Sequence, residues 1–181
     1  HEFFTTGAYR VRDAEHTYVT SSPSMDISKA SNFERYIFDI VGRNPARVRE
    51  LWTMVALNGG FVLNEGERRK VAQSGFVSAR STHQDRLRTI AELWQKERFM
   101  VDPHTADGIK AARECRRPGV QMVVLETALP AKFADTIREA TGIDPEIPAA
   151  YAGIEARPQK VTVLDADEAA VKRFVSDAIK A

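Results

Sequence analysis

The stretch V-Q-M-V-V-L at residues 120–125 does most to decide the fold of this sequence. A nearly continuous apolar run of this length is typical of a strand that is buried on both faces of a parallel sheet. Residues 126–130, E-T-A-L-P, connect it to a helix that we expect to run from Pro130 to Gly142. A further strand is predicted at residues 160–164, with a last helix after it. Because strands and helices alternate, we expect an α/β architecture with right-handed crossovers.

Upstream of this stretch the sequence predicts mostly helices. T-Y-V-T at residues 17–20 indicates one short strand, and Ser31 and Glu34 have the spacing of a capping box that starts a helix. Other helices are expected after Asn44-Pro45, over residues 82–99 and over residues 105–116. We therefore expect three regions: part of an α/β lobe at residues 1–57, a mostly helical insertion at 58–101, and a return to the α/β lobe at 102–181.

Composition disfavours several classes of function. The 181 residues carry 26 Lys and Arg against 25 Asp and Glu, a net charge of +1, whereas a nucleic-acid binder usually has a strong basic excess. No apolar run approaches the roughly 20 residues of a membrane helix. Cys115 is the only cysteine, which excludes an internal disulfide and a multi-cysteine zinc site, and the four histidines lack metal-ligand spacing. We expect a cytoplasmic protein with no nucleic-acid, membrane or metal partner.

The first residues, H-E-F-F, have the character of a helix interior rather than of a chain terminus. His1 is also not an initiator methionine. We therefore expect the natural polypeptide to be longer than this chain, and its other part to cover the apolar surface that this part would otherwise expose.

Thr127 lies where open α/β sheets bind ligands, at the carboxyl end of the strand predicted at residues 120–125. Its hydroxyl can both donate and accept a hydrogen bond. The alternative is that Thr127 only caps the helix that begins near Pro130. Since capping threonines are common, the residues alone favour that alternative.

A second strand-to-helix connection contains S-P-S-M-D-I at residues 22–27 and S-N-F-E-R at residues 31–35. The free amides of a helix N-terminus favour an anion such as a phosphate or a carboxylate. Capping accounts for the serine and the glutamate of the second motif. That leaves Asn32 and Arg35 as candidates for contact with a substrate.

A third stretch, D-P-H-T-A at residues 102–106, precedes a helix. His104 could serve there as an acid or a base beside a cleft. More often such a residue is a loop histidine whose ring nitrogens are satisfied, and that is the role we expect.

Four motifs together resemble the C-terminal half of bacterial and fungal threonine synthases, in the order found in that family. They are S-P-S-M-D-I at 22–27, S-N-F-E-R at 31–35, D-P-H-T-A at 102–106 and L-E-T-A-L-P-A-K-F at 125–133. The resemblance extends from His1 to about Gly142. It implies a pyridoxal-phosphate (PLP) enzyme of fold type II, similar to tryptophan synthase β subunits. Such an enzyme is a carbon–oxygen lyase that converts O-phospho-L-homoserine and water into L-threonine and phosphate.

The resemblance also implies a role for Thr127, which falls on the threonine that faces the pyridine nitrogen of PLP in the family. Leu129 departs from the pattern, since the family often has histidine there. The family's Schiff-base lysine, in an F-K-D context, and its phosphate-binding loop, similar to G-N-F-G-N, have no counterpart in this sequence. We therefore expect the catalytic lysine upstream, no catalytic residue in this segment, and no activity from the segment alone.

Two alternatives stay open at this point. The chain could belong to another fold-type-II lyase such as a dehydratase, although the stretches S-M-D-I and D-P-H-T-A argue against this. It could also be a non-catalytic α/β binding module, which predicts no upstream lysine motif and no spectral change with PLP.

Overall fold

Helices account for most of the regular structure in this computed structural model, which describes residues 1–180. The α-helices of these residues are α1 (Glu2–Thr6), α2 (Phe33–Ile40), α3 (Pro45–Asn58), α4 (Glu65–Gln73), α5 (His83–Glu97), α6 (Pro103–Cys115), α7 (Ala134–Thr141) and α8 (Glu168–Lys180). Short 3₁₀ turns lie at Pro23–Met25, Pro130–Phe133, Ala149–Tyr151 and Ile154–Ala156. The strands are β1 (Ala8–Arg10) and β2 (Gly60–Val62). Residues His1–Glu146 form one compact unit, and the residues from Ile147 onward form another.

The first core lies between the β1–β2 pair and helices α1 to α4. The strands are antiparallel, with Tyr9 opposite Phe61 and their ring centroids 5.3 Å apart. Their backbones approach so closely that a Cβ at Gly60 would lie 2.3 Å from the carbonyl oxygen of Tyr9, so only glycine fits. Helix α2 adds Ile37 and α3 adds Leu51, both fully buried. Burial of each such side chain contributes about 1.5–3 kcal/mol.

A second core lies between α5, α6 and α7. Ile90, Ala106 and Ile137 are fully buried there, together with Val101 in the residues that precede α6. Each helix contributes one apolar side chain to the centre, as expected for helices that pack along one face. This core fixes the start of α6, which is the part of the fold that the candidate site depends on.

The predicted helices are confirmed with small shifts at their ends, but the capping box predicted at Ser31 and Glu34 is wrong. Helix α2 begins after Asn32, which has a φ of 81° and makes no side-chain cap bond. Asparagine tolerates this left-handed conformation better than most residues. Capping boxes form instead at α4 and α5. In the second of these, hydrogen bonds from the hydroxyl and the backbone N–H of Thr82 lower the pKa of Asp85 to about 2.

The three predicted strands at residues 17–20, 120–125 and 160–164 do not pair with any other strand among residues 1–180. In the first, the N–H of Thr20 donates to a carboxylate oxygen of Asp26 at 2.7 Å instead. In the second, most side chains are exposed rather than buried, Leu125 by 78%. A strand forms only by hydrogen bonding to a neighbouring strand. An apolar run indicates that a segment favours the extended conformation, but it does not show which strand the segment would pair with.

Strand β2 lies within residues 58–101 and pairs with β1, while α4 and α5 form most of the rest of that region. Helix α8 begins with a cap from Asp167, which accepts the N–H of Ala170 at 2.7 Å. The apolar face of α8, which includes Val171 and Ile179, is exposed. In the part of the chain that is described, no helix combines the length and the apolar character needed to cross a membrane.

Candidate functional site

The backbone of Thr127 is held by helix α6. Its N–H donates to Oγ1 of Thr105 at 3.2 Å. One turn further along α6, a Cβ at Gly108 would lie 3.2 Å from Cγ1 of Val124, so the missing side chain lets the segment approach the helix. Thr127 itself is exposed. Its hydroxyl is therefore available to a ligand atom from a backbone position that α6 fixes.

The alternative role of Thr127 as a helix cap is wrong. The 3₁₀ turn Pro130–Phe133 begins after Leu129, and no side chain caps it. Helix α7 follows at once, with Phe133 at its N-cap position and again no side-chain cap bond. The hydroxyl of Thr127 is thus not used for the structure that follows it.

Helix α6 begins at a buried carboxylate. Asp102 occupies the N-cap position and Pro103 opens the first turn, where its missing N–H costs nothing. The two oxygens of Asp102 accept the backbone N–H groups of His104 at 2.9 Å and of Thr105 at 3.3 Å. The hydroxyl of Thr105 also donates to Oδ2 of Asp102. Asp102 and Thr105 are 0% and 4% exposed, so water competes little for these bonds.

His104 connects this helix start to the loop around the 3₁₀ turn Pro23–Met25. Its Nε2 lies 3.1 Å from the backbone nitrogen of Ser24, and its Nδ1 lies 2.8 Å from Oδ1 of Asp102. A backbone N–H can only donate, so Nε2 is the unprotonated nitrogen and Nδ1 carries the proton. The ring also packs edge-on against Phe133, with centroids 4.8 Å apart. Both ring nitrogens are satisfied, as expected for a loop histidine.

Three of the four motifs therefore meet around the start of α6. The serine-rich loop contacts His104, and the segment after residues 120–125 contacts Thr105. Asp102 joins the two contacts, because it binds both side chains. The fourth motif, S-N-F-E-R, lies elsewhere.

Asn32 and Arg35 line an open depression of about 680 Å³ together with Lys70 of α4. The carbonyl oxygen of Asn32 accepts the N–H of Arg35 at 3.1 Å, which places both residues at the start of α2. The structure thus brings these two predicted residues together and adds a second cation. Thr127 is not among the residues that line this depression.

Sequence reasoning missed two features near the motifs. The sequence D-P-H-T-A drew attention to His104, whereas Thr105 holds the segment that contains Thr127 and Asp102 binds the side chains of both His104 and Thr105. Asp before Pro is a recognised start of a helix, and that signal could have identified Asp102. The other is a buried ion pair in which Nε of Arg86 lies 2.9 and 3.0 Å from the two carboxylate oxygens of Asp107. No local pattern indicates that pair.

Residues 1–180 contain no group of three or more His, Cys, Asp or Glu arranged to hold a metal ion. Cys115 is a free thiol of intermediate exposure. Lys132, inside the last matched motif, is exposed on its 3₁₀ turn.

Known proteins resemble this chain in both sequence and fold. A family profile described as threonine synthase, C-terminal, matches residues 105–175. The threonine synthase of Methylobacillus glycogenes is 54% identical over 98% of this chain and 38% of its own length, and that of Corynebacterium glutamicum is 50% identical over the same shares. A PLP-bound threonine synthase from Brucella melitensis has a solved structure that matches with a TM-score of 0.85 and 37% identity, over 99% of this chain and 38% of that one.

These matches cover the chain almost completely, although the chain spans only 38% of the length of the relatives. The shared fold confirms the predicted α/β class, of which the described residues show two short strands among helices. Taken together, the motifs, the matched profile and the shared fold lead to one conclusion: almost the whole chain is similar in sequence and fold to part of the threonine synthases.

Proposed function

We propose that this chain supplies part of the active site of a PLP-dependent threonine synthase. The enzyme converts O-phospho-L-homoserine and water into L-threonine and phosphate, as a carbon–oxygen lyase. The observation that carries the proposal is the similarity to enzymes of this name along almost the whole chain. The PLP-bound Brucella enzyme, whose fold the chain shares, supports the choice of cofactor.

The hydroxyl of Thr127 is suited to donate a hydrogen bond to the pyridine nitrogen of PLP. Its side chain is exposed and its N–H is bound to Thr105, so a fixed backbone presents a free hydroxyl. When bound, PLP supplies an aromatic ring that withdraws electrons from the reacting carbons of the substrate. The hydroxyl of Thr127 can donate to an unprotonated ring nitrogen but cannot hold it protonated as a carboxylate would. Thr127 therefore keeps that electron withdrawal moderate.

Asn32 and Arg35 are proposed as contacts on the substrate side. The depression they share also contains Lys70. An arginine, a lysine and an amide together favour an anionic group such as the substrate's phosphate. Asp39, which lines the same depression, is engaged by Arg43, whose Nε lies 3.0 Å from Oδ1. This pairing reduces its repulsion of an incoming anion.

The covalent lysine and the loop that binds the phosphate of PLP are proposed to lie in another part of the protein, the part that matches the rest of the relatives' length. Residues 1–181 alone are then inactive, and their partner is that other part.

The division into lobe regions at 1–57 and 102–181 and an insertion at 58–101 belongs to the same proposal. It is supported by α4 and α5, which occupy most of the insertion. A cytoplasmic location is supported by the single free thiol of Cys115.

The experiment is an assay of the full polypeptide that carries this chain, loaded with PLP and given O-phospho-L-homoserine. We expect threonine and inorganic phosphate in equal amounts, and neither product from residues 1–181 alone. Absence of threonine would overturn the proposed reaction. Threonine production by residues 1–181 alone would overturn the proposed division of the active site.

A matched pair of variants tests the role of Thr127. Thr127→Val should weaken PLP binding about 3- to 10-fold, since it removes one hydrogen bond. Thr127→Ser keeps a hydroxyl and should bind PLP as the unaltered protein does. Equal PLP affinity in both variants would remove Thr127 from the site.

A further inference from the structure

We propose that Thr105 is a positioning residue for Thr127, and that Asp102 fixes Thr105 in that role. This role rests on the proposed function, because it takes Thr127 as the residue that contacts PLP. Thr105 is 4% exposed, so it acts through Thr127 rather than on the cofactor directly.

The hydrogen-bond donors and acceptors around Thr105 permit one arrangement. Its hydroxyl has one proton and two lone pairs. The proton is donated to Oδ2 of Asp102, because a carboxylate can only accept. Oγ1 therefore presents a lone pair to the N–H of Thr127, at 3.2 Å. Asp102 is itself held by the first turn of α6, where it accepts the N–H groups of His104 and Thr105.

Helix α6 also contacts the segment before Thr127. Gly108 lies one turn beyond Thr105, and a Cβ at Gly108 would lie 3.2 Å from Cγ1 of Val124. Val124 and Thr127 are three residues apart in the segment, as Thr105 and Gly108 are in the helix. Residues 120–127 belong to neither strand of the described part of the chain. This face of α6 is therefore what sets the backbone position of Thr127.

Backbone position matters because the proposed contact of Thr127 is directional. A hydroxyl and its acceptor must lie within about 2.5–3.0 Å, with a nearly linear bond. A shift of the Thr127 backbone would weaken that bond even though the hydroxyl itself is unchanged. Loss of the Thr105 hydroxyl should therefore mimic, in part, loss of the Thr127 hydroxyl.

The experiment is a double-mutant cycle on PLP affinity in the full polypeptide, with the dissociation constant of PLP and the absorbance spectrum of bound PLP as readouts. The variants are Thr105→Val, Thr127→Val and the double variant. Thr105→Ser serves as the matched control because it restores the hydroxyl. We expect Thr105→Val to weaken PLP binding about 3- to 10-fold, as for one lost hydrogen bond, and Thr105→Ser to bind within about twofold of the unaltered protein.

The double variant distinguishes positioning from a general loss of structure. If Thr105 acts through Thr127, the double variant should bind PLP no more weakly than Thr127→Val alone. Losses that simply add would overturn the positioning role and leave the proposed function intact. A protein in which neither the unaltered form nor any variant binds PLP would overturn both.

A measurement on the unaltered protein keeps the inference testable if Thr105→Val does not fold. The amide proton of Thr127 should exchange slowly with solvent although its side chain is exposed, because its N–H is bound to a buried oxygen. Exchange as fast as that of a free loop amide would contradict the hydrogen bond and with it the positioning role.

Discussion

Arg47 on α3 and Glu67 on α4 form a bidentate ion pair, with Nε 2.8 Å from Oε1 and Nη2 3.1 Å from Oε2. The same carboxylate closes the capping box of α4, since its Oε2 accepts the N–H of Asn64 at 3.0 Å. Glu67 is 8% exposed. One side chain therefore joins two helices of the first core and also holds the start of one of them.

Replacement of Glu67 by glutamine should lower the free energy of unfolding at pH 7 by about 1–3 kcal/mol, as expected when a charged hydrogen-bond partner is lost. Urea denaturation measures this change. The matched control is Glu65→Gln, because Glu65 is exposed and lies 4.0 Å from Arg69. That variant should change stability by less than about 1 kcal/mol. Equal losses in the two variants would contradict the importance of the Arg47 pair.

The contribution of Glu67 should also depend on pH. Hydrogen bonds from Arg47 hold the pKa of Glu67 below its ordinary value in the folded protein. A depressed pKa stabilises the fold above the unfolded pKa of about 4.3, and this stabilisation is lost as the pH falls through the folded pKa. The stability difference between the unaltered protein and Glu67→Gln should therefore be constant from pH 7 to 5 and shrink below that range. Denaturation curves at several pH values measure it, and a difference that grows on acidification would contradict the sign.

Helices could be predicted from the sequence because their ends depend on a few neighbouring residues. Asn44 before Pro45 predicted the start of α3, and the side chain of Asn44 does accept two N–H groups of the first turn. Gly142 ends α7 with a φ of 73°. Strands were different, since β1 and β2 have three residues each, too few to show an alternating pattern. Residues 120–125 have strand character but no partner among the described residues.

For the candidate site, the sequence led to Thr127 as a candidate but not to the residue that holds its backbone. Resemblance to a family identified Thr127, whereas the residues alone favoured a cap that the structure does not contain. The hydrogen bond that holds it comes from Thr105, 22 positions away. Neither periodicity nor a local motif can indicate a contact between residues so far apart in the sequence, because such a contact depends on how α6 packs. The pair of Arg86 and Asp107 was missed for the same reason.

Gly60 should tolerate no side chain. A Cβ there would lie 2.3 Å from the carbonyl oxygen of Tyr9 and 3.1 Å from the Cα of Arg10. Gly60→Ala must therefore separate β1 from β2, and we expect a loss of about 1–3 kcal/mol in the free energy of unfolding. Gly66→Ala is the control, because it lies in a helix with an ordinary contact of 3.4 Å to Asn64, and it should gain up to about 1 kcal/mol. A stable Gly60→Ala variant in thermal or urea denaturation would contradict the close approach of the strands.

Arg86 should be required for stability because it neutralises a carboxylate that has little access to water. Arg86 is 5% exposed and the side chain of Asp107 is 12% exposed. Nη1 of Arg86 also donates to Oγ of Ser21 at 3.2 Å. Arg86→Met leaves that carboxylate without its cation, and we expect a loss of about 3–5 kcal/mol. Urea denaturation measures this loss.

The double variant Arg86→Met with Asp107→Leu separates the cost of an unpaired charge from the net value of the pair. Apolar side chains of similar volume often replace a buried ion pair at little cost, so the double variant should recover most of the stability that the single variant loses. Arg88→Met is the control, since Arg88 is exposed and pairs with Asp85 at the surface, where such pairs contribute at most about 1 kcal/mol. A double variant as unstable as Arg86→Met would mean that the guanidinium stabilises this core by more than neutralising Asp107, through its bond to Ser21.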